Sequence, residues 1–204
     1  TYFYRASAYA AKGEGDKAFA DLDKSLELDP RNTEAYNNRG FYLLSRGEYE
    51  RSIPNFTKAI ELAPDVARYY NNRGNALAAA GEMEKAMTDL NKAVELDPKS
   101  SKAYRNRAGA WLIQGNFEKA VEDATKSIEL DSKEAKSYRI RSEAREELGD
   151  LGGSDEDARQ ALILGPQPPA GMAAPVGPEI LAAEKAALKA LLEKDTPENR
   201  LKLA

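Results

Sequence analysis

The chain has 204 residues, of which 42% are hydrophobic and 31% are charged, as in an ordinary globular protein. Its 30 Lys and Arg residues are balanced by 34 Asp and Glu residues, and a net charge of -4 disfavours nucleic acid or an anionic membrane as the main partner. The sequence contains no Cys and no His, which excludes disulfides, thiolate zinc sites, cysteine nucleophiles and histidine bases.

The hydropathy of the chain gives no sign of a membrane segment. No apolar run approaches the roughly eighteen residues that a membrane-spanning helix requires, and no secretory signal is visible. We therefore expect a soluble chain without a membrane span; its compartment is unknown, with the cytoplasm slightly favoured. The sequence begins at Thr1 and not at a Met. Whether an upstream signal or anchor has been removed is therefore left open.

A period of 34 residues organises the chain from Thr1 to about Pro166. Tyrosine, arginine and glycine each recur five times at this interval, and proline recurs at the same register. The series are Tyr2, Tyr36, Tyr70, Tyr104 and Tyr138; Arg5, Arg39, Arg73, Arg107 and Arg141; Gly13, Gly47, Gly81, Gly115 and Gly149; and Pro30, Pro64, Pro98 and Pro166. Such a period indicates a solenoid of stacked supersecondary units.

Each unit is predicted to contain two helices. Glycine ends the first helix, where a left-handed C-cap is wanted, and proline follows the second helix, which it prevents from continuing. In the third unit we expect the first helix from about Val66 to Ala80 and the second from about Met83 to Leu96.

The fifth unit departs from this pattern. Gly152 and Gly153 stand where its second helix should begin, and each glycine costs roughly 1 kcal/mol in a helix interior. This helix is therefore expected to start late, near Ser154 or Asp155.

The recurring series of aromatic, small, large, Gly, Ala, large, Ala and Pro residues resembles the tetratricopeptide repeat family from Thr1 to about Pro166. The resemblance implies an all-α fold, a right-handed α-solenoid of five 34-residue helix-turn-helix repeats, followed here by an extra C-terminal helix. The repeats are predicted at residues 1–32, 33–66, 67–100, 101–134 and 135–165. In a solenoid of this kind the first helices line one continuous concave wall, which is the candidate site.

The composition changes after Pro166. Residues 166–178 are rich in Pro, Gly and Ala and are predicted to be a linker. Residues 179–204 are predicted to form a C-terminal amphipathic helix. Its apolar face has three alternative positions: on the end of the fifth unit as a cap, in the groove of the same chain, or on another copy of the chain, which would make a homo-oligomer.

Asparagines recur on the predicted wall. Asn38, Asn72 and Asn106 are equivalent in three consecutive units, and each amide offers two donors and an acceptor to an extended peptide backbone. The series resembles the asparagine ladders of some tetratricopeptide repeat and other solenoid proteins, which bind unstructured peptides. The alternatives are that Asn merely follows from a common repeat template or that these amides bond to a neighbouring helix. The other candidate peptide-binding residues are Asn37, Asn71, Asn75, Phe41, Arg68, Lys102, Arg105, Lys136 and Arg139.

The candidate wall has an uneven charge distribution. Its basic residues gather on the later units, while Phe3, Tyr4 and Phe41 lie at the early end, so a bound peptide would place carboxylates late and an apolar side chain early. The pattern is similar to the carboxylate clamps of chaperone-binding tetratricopeptide domains. Its matches are Asn75, Asn106 and Lys136, whereas Asn71 and Ile140 replace a lysine and an arginine of the clamp. The alternative is a solvated charged face.

The arginine shared by all five units has a structural interpretation. In four units an aspartate follows sixteen residues later on the second helix, which predicts an Arg–Asp bridge within the unit. These aspartates are Asp21, Asp89, Asp123 and Asp157. In the second unit the corresponding residue is Asn55, so Arg39 is expected to be the least restrained.

We therefore expect a non-catalytic scaffold that binds an extended peptide or partner segment in the concave groove. The alternative is a self-assembling structural repeat protein in which the C-terminal helix docks on another copy of the chain. No catalytic residues, metal site or cofactor are predicted, because no residue set combines a base, a nucleophile and a water-excluding pocket. The expected partner is a protein or peptide, with acidic residues as one option.

Overall fold

The computed structural model describes residues 1–165, which form one compact unit, Thr1–Gly165. This part of the chain contains ten α-helices and no strand. The helices are α1 (Tyr2–Ala11), α2 (Gly15–Leu28), α3 (Thr33–Ser45), α4 (Tyr49–Leu62), α5 (Ala67–Ala79), α6 (Met83–Leu96), α7 (Ser101–Ile113), α8 (Phe117–Leu130), α9 (Ala135–Glu147) and α10 (Leu151–Leu164). The predicted linker (166–178) and C-terminal helix (179–204) lie outside the described residues.

The helices pack as five consecutive pairs, from α1 with α2 to α9 with α10. Each second helix also packs against the first helix of the next pair, and α3, α5, α7 and α9 pack against one another in series. Within residues 1–165 the second helices make no comparable contacts among themselves, so the first helices form the inner, concave layer. This arrangement is the predicted α-solenoid.

A Schellman turn joins the two helices of every pair. The five glycines of the 34-residue series all have a positive φ, between 73° and 83°. At the first turn Gly13 N–H donates to the Ala10 carbonyl at 3.0 Å, and Glu14 N–H donates to the Tyr9 carbonyl at 2.9 Å. A Cβ is strained at such angles, so these positions favour glycine. The predicted left-handed C-caps are confirmed.

Small residues let the paired helices approach closely. In the third repeat Leu90 is fully buried, and a Cβ placed on Gly74 would lie 2.8 Å from Leu90 Cγ. The missing side chain at position 74 therefore leaves the space that Leu90 fills. The two helices of this repeat, Ala67–Ala79 and Met83–Leu96, agree with their predicted bounds to within one residue.

The last helix begins earlier than predicted. It starts at Leu151 and not at Ser154 or Asp155, so that prediction is wrong. Both glycines fall in the first turn, where the Asp150 carboxylate accepts a hydrogen bond from Gly153 N–H at 3.0 Å. A Cβ on Gly153 would collide with the Asp150 carboxylate. Glycine thus leaves room for the cap that begins the helix.

The fifth repeat has a more polar interior than the others. Its Arg145 stands at a position that is aromatic or aliphatic elsewhere, namely Tyr9, Leu43, Leu77 and Trp111. The Arg145 guanidinium donates to Asp157 Oδ2 at 2.9 Å and to the Gly153 carbonyl at 3.2 Å. Ser142 and Ser154 are also buried and share a hydrogen bond. Within residues 1–165, buried apolar side chains therefore contribute less to this repeat, where Ala144 and Ala161 are the only buried apolar residues.

Candidate functional site

All twelve predicted site residues lie on α3, α5, α7 and α9, the helices of the concave layer. Four of them, Asn38, Asn72, Arg105 and Asn106, are partly exposed. Two of them, Asn37 and Asn71, are buried, which differs from the expectation that they face the groove. The exposed members are Phe41, Arg68, Asn75, Lys102, Lys136 and Arg139.

Asparagine side chains connect neighbouring repeats. Asn72 Nδ2 donates to Asn37 Oδ1 at 2.8 Å, and Asn106 Nδ2 donates to Asn71 Oδ1 at 3.0 Å. The two bonds are related by the 34-residue period, so the repeats stack in register. Asn37 and Asn71 thus serve as buried acceptors between repeats. For these bonds the alternative interpretation, an amide bonded to a neighbouring helix, is correct.

The exposed amides keep part of their hydrogen-bonding capacity. Asn38 Oδ1 accepts from Asn37 Nδ2 at 3.2 Å, and Asn106 Oδ1 accepts from Arg105 Nε and Nη2 at 3.2 and 3.1 Å. No described residue donates to Asn72 Oδ1. Because an amide nitrogen carries two hydrogens, Asn72 and Asn106 each retain one donor. The amides of the groove can therefore still bind a main chain.

Two of the five predicted basic residues are already neutralised. Arg68 pairs with Glu34, which also accepts a hydrogen bond from the Tyr69 hydroxyl at 2.7 Å. Arg105 pairs with Glu134, with 2.5 Å between Nη1 and Oε2. Both pairs join first helices or their caps across neighbouring repeats. The other three predicted basic residues, Lys102, Lys136 and Arg139, form no salt bridge with any residue of 1–165.

One carboxyl group moderates this positive end of the groove. Glu143 lies one turn after Arg139 on α9 and is partly buried. Burial raises the pKa of the Glu143 carboxyl, whereas Arg139 acts in the opposite direction. Protonation of Glu143 therefore comes at a higher pH than for an exposed glutamate.

Exposed apolar side chains also occur on the first helices. Of the three expected here, Tyr4 on α1 and Phe41 on α3 are exposed, whereas Phe3 is partly buried and packs against the core of the first repeat, which corrects its assignment to the groove. Ile113, at the end of α7, is likewise exposed and was missed. The period identifies it, because Ile113 is the equivalent of Ala79, one turn beyond Asn75 on the same face.

The repeated arginines bridge the second helices of neighbouring repeats. Arg73 Nε and Nη2 donate to the two carboxylate oxygens of Asp89 at 2.7 and 2.9 Å. Its Nη1 donates to Thr57 Oγ1 of the preceding repeat at 3.2 Å. The same contacts are made by Arg107 with Asp123 and Asn91, and by Arg141 with Asp157 and Thr125. The four predicted Arg–Asp bridges are confirmed, and those of Arg73, Arg107 and Arg141 extend to the previous repeat.

Arg39 is not the least restrained of the series, so that prediction is wrong. Its Nε donates to Asn55 Oδ1 at 2.6 Å, and its Nη1 donates to Asp23 Oδ1 of the first repeat at 2.8 Å. The preceding repeat thus supplies the carboxylate that its own second helix lacks. The Arg39 side chain is 26% exposed, against 55% for Arg5.

The bridges favour the ionised form of both partners. Hydrogen bonding to Asp89 raises the pKa of Arg73, although burial opposes the shift. Hydrogen bonding from Arg5 lowers the pKa of Asp21. Because the pKa of Asp21 is lower in the folded than in the unfolded chain, its contribution to stability is present above the unfolded pKa and is lost as pH falls through the folded pKa.

The described residues contain neither a metal-binding cluster nor a membrane-spanning helix. Residues 1–165 contain no group of three or more acidic side chains placed to hold a metal ion. None of the ten helices combines the length and the apolar character needed to cross a membrane. The groove with its amides and free cations remains the candidate site.

Sequence profiles of known families were compared with the chain. Two profiles described as tetratricopeptide repeat match residues 1–32, 37–101 and 89–135, more than half of its length. The chain belongs to the tetratricopeptide repeat family. Proteins of this family generally mediate protein–protein interactions. No curated protein matches the chain by sequence.

Solved structures share the tetratricopeptide fold with this chain. A MamA structure from Desulfovibrio magneticus RS-1 is 21% identical, with 80% of this chain and 92% of that chain covered and a TM-score of 0.68. TTC0263, a thermophilic protein from Thermus thermophilus, is 18% identical, with 94% and 97% covered and a TM-score of 0.71. YrrB, described as having an unusual peptide-binding site, is 20% identical, with 91% and 90% covered and a TM-score of 0.63.

The arginine bridges predict a stability effect. Arg73→Ala should lower the free energy of unfolding by about 3 kcal/mol, because it leaves the buried Asp89 carboxylate without its partner charge. Urea denaturation followed by circular dichroism measures the change, and Lys12→Ala, at an exposed position, serves as the control with a change below about 0.5 kcal/mol. Loss of peptide binding at unchanged stability would contradict the structural role of Arg73.

Proposed function

We propose that this tetratricopeptide repeat protein is a non-catalytic scaffold that binds an extended peptide, or an unstructured segment of a partner protein, in the groove of α3, α5, α7 and α9. The observation that carries the proposal is the aligned pair of amides. Asn72 and Asn106 are oriented by equivalent bonds to the preceding repeat and still have hydrogen-bonding atoms to offer.

Aligned amides suit an extended main chain for a physical reason. Each peptide residue carries one N–H donor and one carbonyl acceptor, which an amide side chain matches with its own acceptor and donor. The bonds to Asn37 and Asn71 hold Asn72 and Asn106 in place before a ligand arrives, so little side-chain entropy is lost on binding. Affinity would then come from the main chain, with selectivity added by neighbouring side chains.

The free charges indicate which peptides are preferred. Of the five basic residues predicted on the groove, the three that form no salt bridge within residues 1–165 are Lys102, Lys136 and Arg139, in the fourth and fifth repeats. The exposed apolar side chains Phe41 and Ile113 lie on α3 and α7. We propose a partner segment that carries acidic residues opposite the last two repeats and an apolar residue near Phe41 or Ile113. The shared fold with YrrB, a protein described as having a peptide-binding site, is in keeping with this assignment.

A rival function, self-assembly, is favoured by the end of the fifth repeat. Leu151 and Leu162 are exposed there, and Leu162 is 48% exposed whereas its equivalent Leu26 is 7% exposed. Burial of apolar surface of this kind on a second copy would stabilise an oligomer. In this alternative, residues 179–204 of one chain dock on the repeats of another.

The amide pair gives the main test of peptide binding. The probes are two capped twelve-residue peptides of the same composition, with two Phe in one half and four Glu in the other, in the two possible orders. Replacing both Asn72 and Asn106 with Ala should weaken the binding free energy of the peptide that binds more tightly by about 1–3 kcal/mol. Fluorescence polarisation measures this change. The control is Gln114→Ala, an exposed residue at the end of α7.

The double variant also needs a stability control. Asn37 and Asn71 lose their donors in it, so thermal unfolding is measured in parallel and binding is compared at a temperature where both proteins are folded. Unchanged affinity in the folded double variant would show that the amides are not the binding site.

The charge assignment makes a second prediction. Lys136→Glu should weaken the affinity for the tighter of the two peptides about tenfold, because it reverses the charge of a cation that forms no salt bridge within residues 1–165. Arg68→Gln should change affinity less than about twofold, because Glu34 already neutralises that arginine. Polarisation titrations at low and at physiological salt measure both. A larger effect of Arg68→Gln than of Lys136→Glu would contradict the assignment.

Light scattering separates the rival functions. A scaffold that acts as a monomer should keep the same mass across a wide concentration range without added ligand. A self-assembling protein should gain mass with concentration and lose that gain when residues 167–204 are removed. Size-exclusion chromatography with light scattering on both chains makes the comparison.

A further inference from the structure

We infer that the groove binds a peptide main chain at two unequal points: Asn72 both accepts and donates a hydrogen bond, whereas Asn106 only donates. Arg105 is then a positioning residue for Asn106, and not a contact for a carboxylate of the ligand. The inference rests on the proposed function and adds the number, direction and spacing of the main-chain bonds.

Asn106 has no acceptor capacity left. A carbonyl-type oxygen has two lone pairs, and Arg105 Nε and Nη2 both donate to Asn106 Oδ1, at 3.2 and 3.1 Å. The same amide donates one hydrogen to Asn71 at 3.0 Å. One amide hydrogen of Asn106 is therefore available to a ligand carbonyl.

Glu134 fixes the guanidinium that occupies Asn106. Arg105 Nη1 donates to Glu134 Oε2 at 2.5 Å, and both side chains are largely buried. A guanidinium held by a carboxylate on one side and an amide oxygen on the other has its plane fixed. Its charge is also neutralised at close range, so it has little left to offer an acidic peptide.

Asn72 lies in the equivalent place one repeat earlier but has a different neighbour. The position of Arg105 is taken there by Asn71, whose oxygen accepts from the following repeat. No residue of 1–165 donates to Asn72 Oδ1, and Asn72 Nδ2 uses one hydrogen on Asn37. Asn72 can thus accept from a ligand N–H and donate to a ligand carbonyl.

The spacing of the helices sets the spacing along the ligand. Packed helices lie about 8–10 Å apart, and an extended chain rises about 3.3 Å per residue, so Asn72 and Asn106 contact peptide residues roughly three positions apart. The residue at Asn72 must have an N–H, which proline lacks. The ligand class is therefore an extended segment that excludes proline at the Asn72 position and accepts it three residues away, at the Asn106 position.

An N-methyl scan of the tighter twelve-residue peptide tests this directly. N-methylation removes one main-chain N–H at a time, and a double-mutant cycle with each asparagine isolates the bond that was lost. We expect one peptide position where N-methylation weakens binding to the wild-type chain about three- to tenfold. The same N-methylation should not weaken binding to the Asn72→Ala variant. No N-methylated position should couple to Asn106→Ala.

Further variants test the positioning role of Arg105. Arg105→Met frees Asn106 Oδ1, so a second N-methyl-sensitive position should appear about three residues from the first. In the double variant Arg105→Met/Glu134→Gln, which leaves no unpaired charge, the salt dependence of affinity should stay as in the wild type, whereas Lys136→Met should reduce it. Glu134→Gln loosens the same guanidinium without removing it and should give a weaker form of the Arg105→Met result.

The outcomes distinguish this inference from the function on which it rests. Peptide binding with no position coupled to Asn72, or with a position coupled to Asn106 in the wild-type chain, would overturn the inference and leave the proposed function standing. A loss of salt dependence in the double variant Arg105→Met/Glu134→Gln would also overturn it. Failure of both twelve-residue peptides to bind the wild-type chain would overturn the proposed function and the inference together.

Discussion

The contact between each repeated arginine and the second helix of the preceding repeat fixes the register of the solenoid. The residue sixteen positions before the arginine is a hydrogen-bond acceptor at every junction between described repeats, and these acceptors are Asp23, Thr57, Asn91 and Thr125. One guanidinium thus sets both the packing within a repeat and the orientation of that repeat on its neighbour. The alignment of Asn72 with Asn37, and of Asn106 with Asn71, depends on this register, and so does every property proposed for the groove.

The periodic features of the molecule could be predicted from the sequence, because a contact that repeats leaves a residue that repeats. The glycine and proline series predicted where helices end, and the interval between arginine and aspartate predicted the bridges. The start of α10 could not be predicted in this way, because the average helix propensity of glycine does not apply in a first turn where Asp150 provides the cap. The second contact of Arg39 was missed for a different reason: Asp23 belongs to another repeat, and the pattern of one unit does not show it.

The same limit explains why the charge of the groove was overestimated. The spacing along the first helices predicts five cations on the groove. Two of them form salt bridges with Glu34 and Glu134, which belong to a neighbouring helix or its cap. The groove is consequently neutral around Asn72 on α5 and positive on α7 and α9, where Lys102, Lys136 and Arg139 form no salt bridge within residues 1–165. Main-chain recognition and charge recognition meet on α7, because Lys102 lies one turn before Asn106.

The polar interior of the fifth repeat links ligand binding to local order. Within residues 1–165 the interior of this repeat contains Arg145, Ser142 and Ser154, and its buried apolar side chains are small, so it gains less from apolar burial than the other repeats. Lys136 and Arg139 lie on this repeat. Local opening of the repeat would therefore displace two of the three groove cations that form no salt bridge within residues 1–165, while Asn72 and Asn106 keep their positions. An acidic segment that binds these cations binds only the closed form of the repeat. By mass action, such binding also protects α9 and α10 from opening.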